Sequence, residues 1–485
     1  MMRYSKLVAA IILVLAACND QQEPTTGTQN PGNEFASSSS TVGINVVLKA
    51  PATAAQLAEL GQYGTVKTQF PQINGLTLAG KESNLSSIRG LKFVKGAAVD
   101  KFIDLPPNTD LVSAEDFTGG FSTWDQDAIN TTVSPLSAAR DVAQTGEGVY
   151  VGILDTGFLN TWPQYFPEER IATQYATSFV GGGAADQGNV HSPGGDQWQH
   201  DVCAHGTHVA STVLGFNLGG GTTFQGAAPR ATVIPVMLHS QGSANTPNSC
   251  GFFSSVAAAG LMYFGDLKAT LGGAPLVVNN SWGGSEDPLT TAAVNYALGK
   301  GVLLVFSAGN SGDAGMGFPG ALPQVISAAA SGWVNEWTAC AGPTTGNAWW
   351  FRCDVREPTK PADFYITDFS SRSLNAQQDL DVAAPGSWVV GPFQLQRGKP
   401  SFFFLGGTSM AAPHVTGTVA LMLQKNPALT QSQAETILQN SAIRLGAGCR
   451  SVHPGPGAPA ENVCWGANAT GAGLLDAKAA VAATP

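Results

Sequence analysis

The sequence predicts an α/β protein whose main sheet is largely parallel and flanked by helices, preceded by a small α+β module. From residue 148 onward, continuous apolar strand patterns alternate with helical patterns. This alternation is typical of a parallel sheet covered on both faces. Before it, residues 43–105 hold a separate run of short strand and helix patterns.

The elements can be assigned in chain order from their periodicity. In the small module, strands are expected at 44–49, 73–79 and 94–99, the last extending toward residue 103, and helices at 53–60 and 84–91. In the larger part, strands are expected at 148–154, 231–238, 276–281, 302–306 and 325–330, and helices at 205–214, 252–271, 289–298 and from Ser409 to about 424. Active sites of such sheets lie beyond the carboxyl ends of the strands.

Composition and charge limit the partners of the chain. Of 485 residues, 43% are hydrophobic and only 12% are charged, which suits a large, turn-rich core. The net charge is −10 and the isoelectric point is about 5.1. These values argue against nucleic acid or anionic lipid as the main partner.

The amino terminus has the features of an export signal, assigned to residues 1–17. Arg3 and Lys6 precede an apolar run that is too short to span a bilayer. Small residues then lead to Cys18, which resembles the lipid-modified cysteine of bacterial lipoproteins. The alternative is an ordinary secretory signal with a chance cysteine. Residues 18–42 are polar and lack periodicity, as expected of a flexible tether.

The remaining cysteines are even in number, as disulfides in an exported protein require. They are Cys203, Cys250, Cys340, Cys353, Cys449 and Cys464. Six cysteines allow fifteen pairings. Their order suggests that each pairs with its neighbour in this series. The two insertions at 333–368 and 446–470 are then expected to be surface loops pinned by disulfides.

Three polar residues stand at a strand end or at a helix start. Asp155 ends an apolar strand, His205 opens a helical pattern, and Ser409 follows two glycines and a threonine before another helix. Pro413 suits a first helical turn, so Ser409 should lie where backbone N–H groups favour negative charge. A serine there could simply cap the helix. Together, however, the three supply the nucleophile, base and orienting group of acyl transfer.

The segments around these residues, 154–157, 205–210 and 407–414, closely resemble the three signatures of the subtilisin family, in the same order along the chain. The resemblance covers residues 124–485 and implies a subtilisin-like catalytic domain. It implies that Ser409 is the nucleophile, His205 the general base and Asp155 the group that orients it.

The same resemblance implies further site residues. Asn310, in the segment Ser307-Ala308-Gly309-Asn310, would supply an oxyanion-hole donor beside the Ser409 backbone N–H; the alternative is a turn asparagine. Substrate would bind as an extended strand along Ser281, Trp282 and Gly283, with Gly309 beside the pocket for the residue before the scissile bond. The pocket segment 315–318 carries no acidic residue, so an apolar or aromatic preference is expected there.

The small module resembles the ferredoxin-like inhibitory prodomain of subtilisin-like proteases in its size, element order and position. It is assigned to residues 43–105, with a linker at 106–123 that holds the processing site. The alternative is an unrelated small domain. The resemblance implies that this module is an intramolecular inhibitor.

Metal and cofactor requirements follow from the remaining polar residues. His200, Cys203, His205 and His208 lie close together, but their spacing matches no standard zinc signature, so no metal site is assigned. His208 and His414 are expected to be packed structural residues. Asp186 and Asp196 in a Gly-rich loop are candidates for structural calcium, and no cofactor is expected to be required. A Cys203–Cys250 bond near His205 would make activity sensitive to reductant.

These observations predict an exported serine endopeptidase that is made as a self-inhibited zymogen. Its partners would be a protein or peptide substrate, its own prodomain and, before processing, the membrane through a lipid on Cys18; nucleic acid is not expected. The mature enzyme would be periplasmic or extracellular. A peptide-binding surface lipoprotein without activity is one alternative, although it would need no intact triad. A transpeptidase that uses the same acyl-enzyme is another.

Overall fold

The computed structural model describes residues 41–104, 112–114, 122–135, 139–183, 189–201, 203–219, 222–240, 250–338, 348–396 and 399–485. The predicted signal segment, Cys18 and nearly all of the tether lie outside these residues, as does most of the linker at 106–123. Residues 39–485 form one unit, which includes both the small module and the large sheet.

In the small module, strands and helices follow the order βαββαβ, which is that of the ferredoxin-like fold. In chain order they are β1 (Thr41–Leu48), α1 (Ala54–Leu60), β2 (Gly64–Phe70), β3 (Gly75–Lys81), α2 (Leu85–Arg89) and β4 (Val94–Val99). The strand order is β2-β3-β1-β4, and every neighbouring pair is antiparallel. Sequence reasoning missed β2, although Val66 and Phe70 alternate with Thr65, Lys67 and Gln69 as in a half-buried strand, because few of its residues are strongly apolar.

Two short strands and one short helix connect the module to the large part of the chain. They are β5 (Phe102–Asp104), β6 (Val112–Ala114) and α3 (Trp124–Ala128). The predicted extension of the last module strand toward residue 103 is wrong, because β4 ends at Val99 and β5 is a separate strand that pairs in a different sheet.

The large part contains a mainly parallel eight-stranded sheet, which confirms the predicted α/β class. In chain order, the helices and strands of this part are β7 (Tyr150–Asp155), β8 (Thr177–Val180), α4 (His205–Leu214), β9 (Gly215–Gly219), β10 (Thr222–Gln225), β11 (Thr232–His239), β12 (Gly251–Phe253), α5 (Ser254–Leu267), β13 (Leu276–Asn280), α6 (Pro288–Gly299), β14 (Leu303–Ser307), β15 (Ile326–Trp333), α7 (Trp349–Arg352), β16 (Phe364–Ile366), β17 (Val382–Pro385), β18 (Val389–Gln396), β19 (Lys399–Leu405), α8 (Thr408–Lys425), α9 (Gln431–Ser441), β20 (Gly448–Val452), β21 (Glu461–Trp465) and α10 (Ala477–Ala483).

The sheet has the order β16-β15-β14-β13-β7-β11-β8, with β17 also paired to β15. Its pairs are parallel except β15–β16. Helices α5 and α6 pack in the apolar core on one face, and α4 and α8 in the core on the other. The nearly unbroken apolar strands are explained by this burial on both faces.

The two insertions differ from each other. Residues 448–465 form the β20–β21 hairpin, which the Cys449–Cys464 disulfide crosses. The expectation of a surface loop at 333–368 is wrong for α7, because the side chains of Trp349 and Trp350 are fully buried. Trp349 packs against Trp124 and Trp333, at ring centroid distances of 5.9 and 6.5 Å. These rings therefore lie in the hydrophobic core and not at the surface. Within the described residues, no helix combines the length and apolar character needed to cross a membrane.

Candidate active site

Asp155 and His205 are brought together where β7 ends and α4 begins. The imidazole Nδ1 lies 2.7 Å from Asp155 Oδ1, and both side chains are buried. The backbone N–H of Thr156 donates to the same carboxylate oxygen at 2.7 Å. Burial is the largest single influence on the His205 pKa and lowers it, but the charge and hydrogen bond of Asp155, with help from Asp201, outweigh burial and raise the pKa. The raised pKa makes the neutral imidazole of His205 a stronger base, which suits it to take a proton from a nucleophile.

Ser409 is the second residue of α8, as its sequence context predicts. Its hydroxyl donates to the carbonyl oxygen of Ser281 at 3.1 Å. Pro413 lies in the second turn of α8, not in the first as expected. Its ring nitrogen cannot donate to the Ser409 carbonyl four residues earlier. The Ser281 hydroxyl donates to that carbonyl at 2.7 Å, so it satisfies the group that the proline leaves open.

Asn310 is oriented by the residue that precedes Ser409. Its Oδ1 accepts hydrogen bonds from the N–H and the hydroxyl of Thr408 at 2.9 and 2.8 Å. The amide Nδ2 therefore remains as a donor. An ideal Cβ built on Gly407 would lie 3.5 Å from Asn310 Nδ2 and 3.6 Å from the Ser409 backbone nitrogen. The two donors thus border one small space beside Ser409, which suits an oxyanion.

The segment after β13 contributes mainly its backbone. The side chain of Trp282 is 1% exposed, and its indole N–H donates to the Leu154 carbonyl at 3.0 Å. It cannot contact substrate through its ring and instead fixes the segment to β7. Gly284 pairs with Phe318 through two backbone hydrogen bonds of 2.8 and 3.0 Å. A Cβ on Gly309 would lie 3.0 Å from the Gly317 nitrogen, which places these two predicted pocket segments side by side.

The chain's own strand β5 lies against this region. It pairs antiparallel with β12, with Ile103 opposite Phe252. Ile103 is buried, and its Cγ1 lies 3.1 Å from the position of a Cβ on Gly284. Strand β5 therefore occupies space between β12 and Gly284 in an extended conformation. Sequence reasoning missed β12, because its residues continue without interruption into the apolar pattern of α5.

The structure contains the predicted disulfide between Cys203 and Cys250. Cys203 lies two residues before His205 in the sequence. Cys340 lies outside the described residues, so its predicted pairing with Cys353 stays a prediction, as does lipidation of Cys18.

The four residues considered for zinc have separate partners. Cys203 is in its disulfide and His205 faces Asp155. His208 is buried with Nε2 facing two backbone carbonyls, and burial lowers its pKa to about 3. His200 is half exposed and lies 3.4 Å from Asp196. Asp186, the other calcium candidate, lies outside the described residues.

Elsewhere, three carboxylates gather that the sequence does not single out. Asp379, Asp381 and Glu435 each offer an oxygen within 4.8 Å of the others. Oxygen donors of this kind suit a hard cation such as calcium. However, both oxygens of Asp381 already accept hydrogen bonds, from Ser327 and Gln439.

Comparison with known proteins identifies a family whose sequences match most of this chain. Residues 146–473 match the family described as the subtilase family. Fervidolysin of Fervidobacterium pennivorans is 28% identical over 423 residues, which cover 78% of this chain and 52% of that protein. Subtilisin Savinase of Lederbergia lenta is 30% identical over 312 residues, which cover 64% of this chain and 88% of that protein.

A solved structure shows the same fold. The crystal structure of fervidolysin, described as a keratinolytic enzyme related to subtilisin, matches with a TM-score of 0.60 at 22% identity and covers 92% of this chain and 62% of that chain. The chain spans about half of fervidolysin and about three fifths of several other curated relatives.

Proposed function

The chain belongs to the subtilase family, and from this premise we propose that it is a serine endopeptidase made as a self-inhibited zymogen. The observation that carries the proposal is the buried Asp155–His205 pair where β7 ends and α4 begins, because both elements pack against α8, whose start holds Ser409 and the two donors beside it. A protein that only binds peptides needs none of these groups.

In the proposed reaction, the Ser409 hydroxyl exchanges its hydrogen bond to Ser281 for one to His205 Nε2. Ser409 Oγ then attacks the peptide carbonyl while His205 takes its proton, and Asp155 stabilises the imidazolium. The Asn310 amide and the Ser409 backbone N–H donate to the oxyanion. His205 gives its proton to the leaving amine, and water later hydrolyses the acyl-enzyme on Ser409.

The zymogen proposal is supported by the contacts of residues 43–105 with the large part of the chain. Asn45 of β1 donates to Asp287 at 2.8 Å and to Ser254 at 3.0 Å, at the starts of α6 and α5. Strand β5 occupies the edge along which an extended substrate would bind. The module would therefore block the cleft until the chain is cut within the linker at 106–123.

The proposed route to the cell exterior uses the predicted signal and a lipid on Cys18. A curated relative is named an extracellular serine proteinase, which supports export. Because Cys18 precedes the module, a cut in the linker would leave the module on the membrane and free the protease. Recovery of the processed catalytic part only in salt-washed membranes would contradict this arrangement, and Cys18→Ser provides the unanchored control.

The function is tested by labelling purified protein with a fluorophosphonate probe, beside Ser409→Ala, with the intact mass of both read out. We expect labelling of the wild type alone, on a species that lacks the amino-terminal module. A folded, processed wild type that is not labelled would overturn the endopeptidase proposal in favour of a binding protein. Products formed with an added amine separate hydrolysis from transpeptidation.

A further inference from the structure

A second buried carboxylate lies beside the Asp155–His205 pair, and the proposed reaction does not use it. Asp201 stands four residues before His205 and is buried. Its Oδ2 accepts a hydrogen bond from the Thr156 hydroxyl at 2.7 Å, and its Oδ1 accepts one from the Cys203 backbone N–H at 2.8 Å. Both carboxylate oxygens are thus engaged in holding neighbours of the pair.

Thr156 links Asp201 to the Asp155–His205 pair through hydrogen bonds. Because its only hydroxyl hydrogen goes to Asp201, its oxygen is free to accept, and it receives the Gly206 backbone N–H at 3.0 Å. The Thr156 N–H meanwhile donates to Asp155 at 2.7 Å. Asp201 therefore fixes the hydroxyl that ties the first turn of α4, which carries His205, to the end of β7, which carries Asp155.

The charge of Asp201 also acts on the pair. Burial raises the pKa of Asp201 to about 7 even though the hydrogen bonds from Cys203 and Thr156 lower it; the charge of Asp155 adds to the rise and that of His205 opposes it. In return, ionised Asp201 raises the pKa of His205. Each of the two groups therefore favours the charged form of the other.

The segment between Asp201 and His205 is held from outside. The disulfide to Cys250 fixes Cys203, whose N–H is a partner of Asp201. Ala204 has a left-handed backbone, with φ of +63°. A non-glycine residue adopts this conformation only where its surroundings impose it. The loop is therefore built to hold Asp201 in one place.

We propose that Asp201 is a positioning residue of the reaction, which acts through Thr156 to hold Asp155 and His205 in register and which stabilises the protonated form of His205. The inference rests on the proposed function. It assigns a role to a carboxylate outside the Asp155, His205 and Ser409 set.

The first test is Asp201→Asn, compared with the wild type by kcat and KM for a peptide substrate across pH. Asn keeps the shape but loses the charge and one acceptor. We expect kcat to fall roughly tenfold to a hundredfold with little change in KM, as for a small misplacement of reacting groups. We also expect the acid limb of kcat/KM to move to lower pH by about half a pH unit or more, because protonated His205 loses a favourable charge.

Thr156 variants separate position from charge. Thr156→Val removes the hydroxyl and keeps the Asp201 charge, so kcat should fall without the same movement of the acid limb. Thr156→Ser keeps the hydroxyl and should restore kcat to near the wild-type value. In the double variant Thr156→Val with Asp201→Asn, the losses in kcat should not multiply, because both act through one contact. Glu169→Gln, which changes an exposed carboxylate in the segment after β7, is the control and should leave the acid limb in place.

An unmoved acid limb and wild-type kcat in folded Asp201→Asn would overturn the inference. So would a loss of activity that only matches the loss of folded protein, measured by circular dichroism. If the wild type itself hydrolyses no peptide, the proposed function fails. The inference is then still decided by NMR titration of His205, whose pKa should be lower in Asp201→Asn than in the wild type.

Discussion

Among the residues that the structure describes, two buried Asp–His pairs differ in whether one nitrogen of the histidine ring remains free. In the first, His205 Nδ1 faces Asp155 at 2.7 Å. In the second, His414 Nε2 faces Asp125 at 2.9 Å, and its Nδ1 faces the Met410 carbonyl at 2.8 Å. Both nitrogens of His414 are therefore occupied, whereas His205 Nε2 has no hydrogen-bond partner among the residues that the structure describes.

The positions of the pairs match this difference. His205 lies at the start of α4, next to the strand end where a substrate can approach. His414 lies inside α8 with no exposed surface, and Asp125 reaches it from α3. The His414 ring is thus held between a carboxylate and a backbone carbonyl, with neither ring nitrogen left for a substrate. In the proposed mechanism, the same two residue types provide a proton shuttle in one place and a structural anchor in the other, depending on whether one ring nitrogen stays free.

The largest expected effect comes from removing the imidazole of His205, whose Nε2 is the free ring nitrogen. His205→Ala should lower kcat on the order of a millionfold, the general size of the effect when such a base is lost in subtilisin. Its free energy of unfolding should change far less than its activity. Peptide hydrolysis and thermal unfolding of the same preparations check this. Retention of a tenth of the wild-type rate would show that His205 is not the base.

The second pair should respond in the opposite way. Asp125→Asn should lower the free energy of unfolding by about 3–5 kcal/mol, because it breaks a buried Asp–His pair by removing one partner. The folded fraction should keep most of its activity. Urea unfolding is measured in the Ser409→Ala background to prevent self-digestion. Asp141→Asn, which breaks the more exposed Asp141–Lys478 pair, is the control and should cost about 1 kcal/mol or less. Equal losses in the two variants would contradict the anchor role.

A third change tests the groups at the start of the helix that carries both Ser409 and His414. Asn310→Ala should lower kcat about a hundredfold to a thousandfold with little change in KM, because it removes one oxyanion donor. Thr408→Val removes one of the two hydrogen bonds that orient the Asn310 amide, so a smaller loss is expected. If Asn310→Ala raised KM and left kcat unchanged, Asn310 would bind the ground state and not the oxyanion.

The sequence predicts the first pair but not the second, for a physical reason. Asp155 and His205 stand in local patterns of strand end and helix start, and family resemblance joins them to Ser409. His414 can be predicted as a packed residue, but nothing near it in sequence indicates Asp125, which is 289 positions away. Likewise, the burial of Trp349 depends on Trp124 and Trp333, which local periodicity cannot supply. Contacts between distant segments are what the sequence leaves open.

The buried carboxylate of Asp287, unlike those of the two pairs, has no histidine as a hydrogen-bond partner. Asp287 is buried at the start of α6, and it accepts hydrogen bonds from Asn45 of the small module and from the Thr290 N–H. With no cation beside it among these partners, burial raises its pKa to about 6, and nearby Asp100 adds to the rise. The raised pKa means that the assembled state favours the protonated form. Its stabilising effect is complete below the ordinary pKa of about 4 and is lost as pH rises through about 6.

The smallest predicted effect is therefore on release of the small module. In the processed but still associated protein, the module should dissociate several-fold faster at pH 7 than at pH 5, because ionised Asp287 is disfavoured only while it is covered. Size-exclusion chromatography or the onset of activity can follow this release. Asp287→Asn should remove most of the pH dependence, whereas Glu286→Gln, an exposed neighbour, should preserve it. Faster release at pH 5 in the wild type would contradict the argument, because the sign follows directly from a carboxylate buried without a cationic partner.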